Sequence, residues 1–162
     1  MKENLTEAVN TIYREYHGGY YKTLISPAQT NGALAMMEMV LPQGAEPPMH
    51  MHAHEDETFY LIEGEMEFII GGQTLAARPG EAIFAARGIP HLFKLLSPQV
   101  RFITLLTPGK LWEYFQEFST PTVGEPMIRP LPGPPPQDYL DYLVNRMTNA
   151  YGITFTAAAR VS

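Results

Sequence analysis

Short runs of apolar or alternating residues, interrupted by glycine and proline, dominate the middle of the chain. In the run 65–70 (EMEFII), Met66, Phe68 and Ile70 share one face of an extended chain and the two glutamates share the other, as in a half-buried strand. The same criteria predict eight strands, at residues 20–26, 32–41, 57–64, 65–70, 73–77, 81–86, 91–96 and 100–106. Turns every ~8–12 residues between such strands favour an antiparallel sandwich or barrel.

The pattern changes after the last predicted strand. Residues 111–118 (LWEYFQEF) have helical spacing, and the next segment, 120–136, contains seven prolines. Proline removes the backbone N–H donor, so this segment is predicted to be an extended tie. Residues 137–152 are predicted to form a helix that ends at Gly152. Its apolar face consists of Leu140, Leu143, Val144, Met147 and Tyr151.

The N-terminal residues carry a weaker signal. Residues 3–16 are expected to form a short helix or a loose arm, because only a few apolar positions have helical spacing. The chain is therefore divided into an N-terminal arm (1–19), a β-barrel (20–109) and a helical tail (110–162) that packs on the barrel or on a partner subunit.

Composition and charge narrow the possible partners. The 162-residue chain has eleven basic and seventeen acidic residues, a net charge of −6 and no basic cluster. Binding to nucleic acid or to an anionic membrane surface is therefore not expected. No apolar run approaches the ~20 residues of a membrane-spanning helix, and the absence of a signal-like segment leads us to expect a cytoplasmic protein. With no cysteine, a metal site would have to use histidine and carboxylate.

Three of the five histidines alternate between residues 50 and 54, within the sequence HMHAH. In an extended strand His50 and His52 point to the same side, as two imidazoles binding one ion would require. Glu57 is the natural third ligand, because a carboxylate partly neutralises the ion. His91 is a candidate fourth ligand because it follows a tight turn, RGIP, and begins another strand. His17, before two glycines, is interpreted as a surface or core residue.

Two motifs in this region resemble those of the cupin family. The first is Gly44-x5-His50-x-His52-x4-Glu57-x6-Gly64, which resembles the first cupin motif without a departure. The second is Gly80-x5-Ala86-x-Gly88-x2-His91, which resembles the second motif. Here Ala86 replaces the usual proline, and Leu95 stands where the motif often ends in asparagine. The resemblance implies an all-β double-stranded β-helix, or jelly-roll barrel, with His50, His52, Glu57 and His91 as metal ligands.

His54 has two possible roles. If the strand continues past His52, His54 shares its face and competes as a ligand. We expect a turn there instead, which leaves His54 at the barrel rim as a pocket group. Further pocket candidates are apolar residues of the predicted strands: Phe59, Leu61, Met66, Phe68, Phe84, Phe93 and Phe102.

More narrowly, the run PPMHMHAHEDETFYLIEGE, the aromatic segment and the closing YGITF are similar to single-domain bacterial cupins described as quercetin 2,3-dioxygenase-like. Such a site would hold one divalent transition metal ion (Fe, Mn, Ni, Co, Cu or Zn). The leading hypothesis is a metal-dependent dioxygenase for an enolic or flavonol-like aromatic, with Glu57 as catalytic base. The alternatives are a metal-dependent isomerase, epimerase or lyase, or a non-catalytic small-molecule binder. Barrel edges and an aromatic tail also predict a homodimer.

Overall fold

The computed structural model describes residues 12–156, which contain twelve strands and two α-helices. The strands are β1 (Tyr13–Tyr16), β2 (Gly19–Ile25), β3 (Ala35–Pro42), β4 (His50–His52), β5 (Asp56–Glu63), β6 (Met66–Ile70), β7 (Gln73–Ala77), β8 (Ala82–Ala85), β9 (His91–Leu95), β10 (Gln99–Thr107), β11 (Thr120–Pro121) and β12 (Ile153–Phe155). The helices are α1 (Trp112–Glu117) and α2 (Gln137–Tyr151), and single 3₁₀ turns occupy Pro27–Thr30 and Gly109–Leu111.

The strands form two antiparallel sheets. One sheet has seven strands in the order β11-β1-β2-β3-β10-β5-β8, and the other has five in the order β12-β4-β9-β6-β7. Non-sequential neighbours such as β3 and β10 are the mark of a jelly roll, in which the chain alternates between sheets. The fold therefore confirms the predicted all-β class and the helical C-terminal tail.

Aromatic and aliphatic side chains fill the space between the sheets. Phe59 lies with its ring centroid 5.0 Å from that of Phe68 and 5.9 Å from that of Phe93, so residues of both sheets interdigitate. Burying each such ring contributes roughly 1.5–3 kcal/mol. The predicted alternation in β6 is also present, because Met66 and Phe68 are 1% exposed.

The ends of the described chain differ from the sequence-based expectation. Tyr13–Tyr16 forms a strand paired with β2, whereas a helix or loose arm was expected there. Residues 3–11 of that expected element lie outside the described residues. Two further strands, Thr120–Pro121 and Ile153–Phe155, were not predicted, because segments of two and three residues are too short to show a period.

The C-terminal tail is tied back onto the five-stranded sheet. Helix α2 ends at Gly152, which has a left-handed conformation (φ 66°) as predicted. The following strand, β12, pairs with β4 so that Ile153 lies opposite His52 and Phe155 opposite His50. A Cβ at Gly152 would lie 2.8 Å from the ring of His54, so the turn has no room for a side chain. Within residues 12–156, no helix is long and apolar enough to cross a membrane.

Candidate metal centre

Four side chains from three strands converge inside the barrel. His50 and His52 come from β4, Glu57 from β5 and His91 from β9. Their potential ligand atoms all lie within 4.8 Å of one another, and each residue is at most 7% exposed. His50 and His91 are direct cross-strand partners, which explains how two residues far apart in the sequence come into contact. The structure thus brings together the four residues that the motifs had identified.

Backbone carbonyls orient two of the three imidazoles. The Nδ1 of His50 lies 2.9 Å from Pro48 O, and the Nδ1 of His91 lies 3.0 Å from Ile89 O. A carbonyl can only accept, so both Nδ1 atoms carry the proton and both Nε2 atoms present a lone pair when the ring is neutral. This arrangement of histidines, with one nitrogen held by a carbonyl and the other free, is common among metal ligands.

The position of Glu57 is compatible with a cation at the centre of the cluster. Its Oε2 lies 3.0 Å from His91 Nε2 and 3.2 Å from His52 Nε2. When the His91 ring is neutral, its Nε2 lone pair faces a lone pair of Glu57 Oε2. This contact is unfavourable unless a positive charge lies between the two atoms. Both ring nitrogens of His52 are also buried without a well-aligned hydrogen bond among the described residues. The donor set therefore fits a divalent transition metal.

The charges of the cluster alter the protonation of its members. Burial lowers the pKa of His50 to about 4, so His50 is neutral at physiological pH. Burial also opposes ionisation of Glu57 and His52, but their mutual attraction is stronger. The attraction between Glu57 and His52 raises the pKa of His52. The same attraction, together with that of His91, lowers the pKa of Glu57 well below its usual value. Glu57 is therefore a carboxylate, the form that binds metal.

Glu55 is a buried acid that the motif analysis missed. It is 3% exposed, and its Oε2 has no hydrogen-bond partner among the described residues. Burial raises the pKa of Glu55, and this effect exceeds the opposite effect of His52. The run Glu55-Asp56-Glu57 looks like a solvated turn in the sequence, and nothing in it shows that two of its three acids point inward.

The predicted pocket residues divide into three groups. Phe59, Phe93 and Phe102 line a cavity next to the cluster. Leu61, Met66 and Phe68 are buried but belong to the core beyond the cavity. Five of the eight predicted pocket residues therefore do not line the cavity: these three, His54 and Phe84. His54 is exposed, because the chain turns after His52 and packs its ring against Gly152, and Phe84 is 59% exposed on the outer face of β8.

The cavity has a volume of about 720 Å³ and opens onto His50, His52 and Glu57. Its walls include helix α2, with Leu143 and Met147, and the proline-rich segment before it. Two tyrosines that the sequence analysis did not single out, Tyr16 and Tyr114, also line it. No lysine or arginine is among the described lining residues.

An ion pair next to the cluster connects the two motifs. Asp56 accepts hydrogen bonds from the backbone N–H and the guanidinium of Arg87, at 2.8 to 3.1 Å. Asp56 precedes Glu57, and Arg87 belongs to the turn before His91. The Arg87 hydrogen bonds lower the pKa of Asp56 from 3.8 to about 2.

Asp56→Asn should therefore lower the free energy of unfolding slightly at pH 7, since both partners are partly exposed. A carboxylate whose folded pKa is depressed stabilises the protein above its unfolded pKa, and this stabilisation is lost as pH falls from about 4 through about 2. Urea unfolding at pH 7, 5, 4 and 3 should show the difference between parent and variant shrinking with acidification. A constant difference, or full additivity with Arg87→Gln, would contradict the coupling.

Comparison with known proteins is consistent with this geometry. Residues 37–106 match the model of the cupin domain family. Quercetin 2,3-dioxygenase of Bacillus subtilis (strain 168) is 25% identical over 104 residues, which are 64% of this chain and 31% of that protein. The tetracenomycin polyketide synthase protein TcmJ of Streptomyces glaucescens is 32% identical over 77 residues, 46% of this chain and 50% of that protein. This chain thus spans half or less of either relative.

A solved structure shares the fold. The structure of KdgF from Halomonas sp. superposes with a TM-score of 0.53 and 23% sequence identity, covering 59% of this chain and 84% of that one. At this level of identity the similarity concerns the fold alone.

Proposed function

Because this chain belongs to the cupin superfamily, we propose that it is a metal-dependent dioxygenase acting on an enolic or flavonol-like aromatic molecule. The observation that carries the proposal is the position of the cluster of His50, His52, Glu57 and His91 next to a largely apolar cavity of about 720 Å³. A cavity of this size lies in the usual range for sites that bind drug-sized molecules. The similarity to the Bacillus subtilis quercetin 2,3-dioxygenase supports the same substrate class.

The residues of the cluster suggest how such a substrate would be activated. A bound divalent ion would supply a Lewis acid that stabilises an ionised substrate oxygen. His50, His52 and His91 would hold that ion, and Glu57 would contribute negative charge and basicity. Since Glu57 is ionised and buried, it is suited to accept the hydroxyl proton of an enol bound beside it. The apolar walls would exclude water from the reacting carbon.

Oxygen uptake tests the proposal. Protein reconstituted separately with Fe(II), Mn(II), Ni(II), Co(II), Cu(II) or Zn(II) is mixed with quercetin in an oxygen-electrode cell. We expect at least one metal form to consume one O₂ per quercetin, with the His91→Ala variant as the inactive control. Absence of uptake above that control in every metal form would contradict dioxygenase activity.

The similarity to TcmJ favours a second candidate. That relative is described as a polyketide synthase protein, and in this second candidate the site serves metal-assisted proton transfer in a phenolic or enolic molecule without O₂. Turnover of a polyphenolic substrate under nitrogen, at the same rate as in air, would select this alternative. Binding without turnover in either atmosphere would select a non-catalytic binder.

We also propose that the protein acts as a cytoplasmic homodimer. Strand β8 is an edge of the seven-stranded sheet, and Phe84 on its outer face is 59% exposed beside Tyr60, which is 44% exposed. An edge strand with exposed aromatic residues is suited to pairing with a second copy. Light scattering at micromolar concentration should give a dimer mass, and Phe84→Glu should shift it to the monomer. A monomeric parent protein would contradict the proposal.

A further inference from the structure

We propose that the hydroxyl groups of Tyr16 and Tyr114 form a second polar anchor in the cavity, which donates a hydrogen bond to a substrate oxygen other than the one at the metal cluster. The inference rests on the proposed function in placing the first substrate oxygen at the cluster. It defines the ligand more closely, as an uncharged and mainly apolar molecule with at least two separate oxygen functions.

The two hydroxyls are fixed in position by aromatic packing. Their oxygen atoms lie 3.1 Å apart, and both tyrosines line the cavity. The Tyr16 ring packs against Phe115 with a centroid distance of 5.4 Å, and the Tyr114 ring packs against Phe118 at 5.1 Å. Tyr114 is 4% exposed. Because the rings are held by neighbours in α1 and at its C-terminal end, the hydroxyls are positioned before any ligand binds.

Counting hydrogen bonds shows that one donor is spare. Two phenolic hydroxyls carry two protons, and the bond between Tyr16 and Tyr114 uses one of them. Neither hydroxyl makes another hydrogen bond among the described residues. Burial raises the pKa of Tyr114 to about 12 and that of Tyr16 well above its usual value, so both remain protonated at neutral pH. The pair can therefore donate but does not act as a base.

The pair is also one of few polar groups in the cavity that remain available. Glu46 already accepts hydrogen bonds from the backbone N–H groups of Gly44 and Leu95. Gln43 donates its amide to Leu95 O. His17 also lines the cavity, and burial lowers its pKa. Since no lysine or arginine lies among the described lining residues, an anionic group on the ligand would find no cationic side chain there.

The anchor lies outside the part of the chain that matches the family model. Tyr16 belongs to β1 and Tyr114 to α1, whereas the match covers residues 37–106. The cluster is thus part of the shared barrel, and the hydroxyl pair is contributed by the flanking segments of this chain. Selectivity among ligands would depend on those segments.

Anaerobic binding of two flavonols tests the inference without requiring turnover. Quercetin carries hydroxyl groups on its outer rings, whereas 3-hydroxyflavone keeps only the ketone and enol end. Both are titrated into the Zn(II)-loaded protein under nitrogen. The double variant Tyr16→Phe/Tyr114→Phe removes both partners and leaves no unpaired hydroxyl, so it should fold. We expect its Kd for quercetin to rise about 3- to 10-fold and its Kd for 3-hydroxyflavone to change less than about 2-fold.

Tyr21→Phe is the matched control. Tyr21 is buried and its hydroxyl bonds Ser119 and Gln116, but it does not line the cavity, so its loss should alter neither Kd. Unchanged quercetin binding in the double variant, equal weakening of both flavonols, or failure of the parent to bind either flavonol would overturn the inference. If the double variant binds only quercetin more weakly and the parent shows no oxygen uptake, the tyrosine anchor is upheld and the dioxygenase activity is rejected. If the parent takes up oxygen and all variants bind quercetin equally, the dioxygenase activity is upheld and the tyrosine anchor is rejected.

Discussion

Glu57→Gln should lower the turnover of the metal-loaded protein by at least about 10²-fold. General-base assistance is typically worth about 10²–10⁴ in rate, and glutamine keeps the shape of the side chain while removing its basicity and its charge. Glu57 lies between His52 and His91, so one carboxylate oxygen faces the cluster while the other is available for a substrate proton. With three histidines still in place, the variant should retain a substantial part of its metal. Oxygen uptake normalised to bound metal measures the effect.

Glu63→Gln provides the matched control, because Glu63 lies on the same strand with a 65% exposed side chain. Its activity should equal that of the parent. A metal-replete Glu57→Gln variant with nearly full activity would exclude the base role. Because His54 is exposed and turned away from the cavity, it is then a poor substitute, and another proton acceptor would have to be sought.

Replacing any of His50, His52 or His91 by alanine should lower metal affinity by at least about 100-fold. Loss of groups that merely orient a ligand costs about 10–100-fold, so loss of a ligand should cost more. His91 is 1% exposed and His52 is 3% exposed, so water would enter the vacated sites only with difficulty. Elemental analysis of protein dialysed against a fixed free-metal concentration measures the loss.

His54→Ala and His17→Ala are the controls and should keep the metal content of the parent. His54 is four residues from His50 and has the same side-chain chemistry, but its ring lies against Gly152 at the surface. Metal loss from His54→Ala as large as that from His52→Ala would show that His54 takes part in the site. Retention of metal by His91→Ala would mean that β9 does not supply a ligand.

The strands could be predicted from the sequence because alternation is a local property. In β6, the apolar residues Met66, Phe68 and Ile70 recur at every second position and Gly71 closes the run, so the core-facing side is determined by residues within one strand. The same holds for Gly152, whose position after an amphipathic run is sufficient to predict a left-handed helix end. The four cluster residues were identified by motif spacing and their chemistry.

The orientation of β8 could not be predicted from local alternation in the sequence. Ile83 and Phe84 are adjacent and both apolar, so the sequence AIFA is compatible with either face pointing inward. The register with β5 decides, because it pairs Ile83 with the buried Phe59 and Phe84 with the half-buried Thr58. Phe84 is therefore directed outward, and one residue of shift would have reversed the result.

The sequence by itself determined the all-β class, the helical tail and the candidate ligands, since these depend on periodicity and spacing over a few residues. Only the tertiary structure decided what surrounds the ligands. The Tyr16–Tyr114 contact joins residues 98 positions apart, and β12 reaches β4 across about a hundred residues. Such contacts depend on which strands pair and on how the tail folds back over the barrel. Their free energy comes from burial shared among distant segments, which no local pattern encodes.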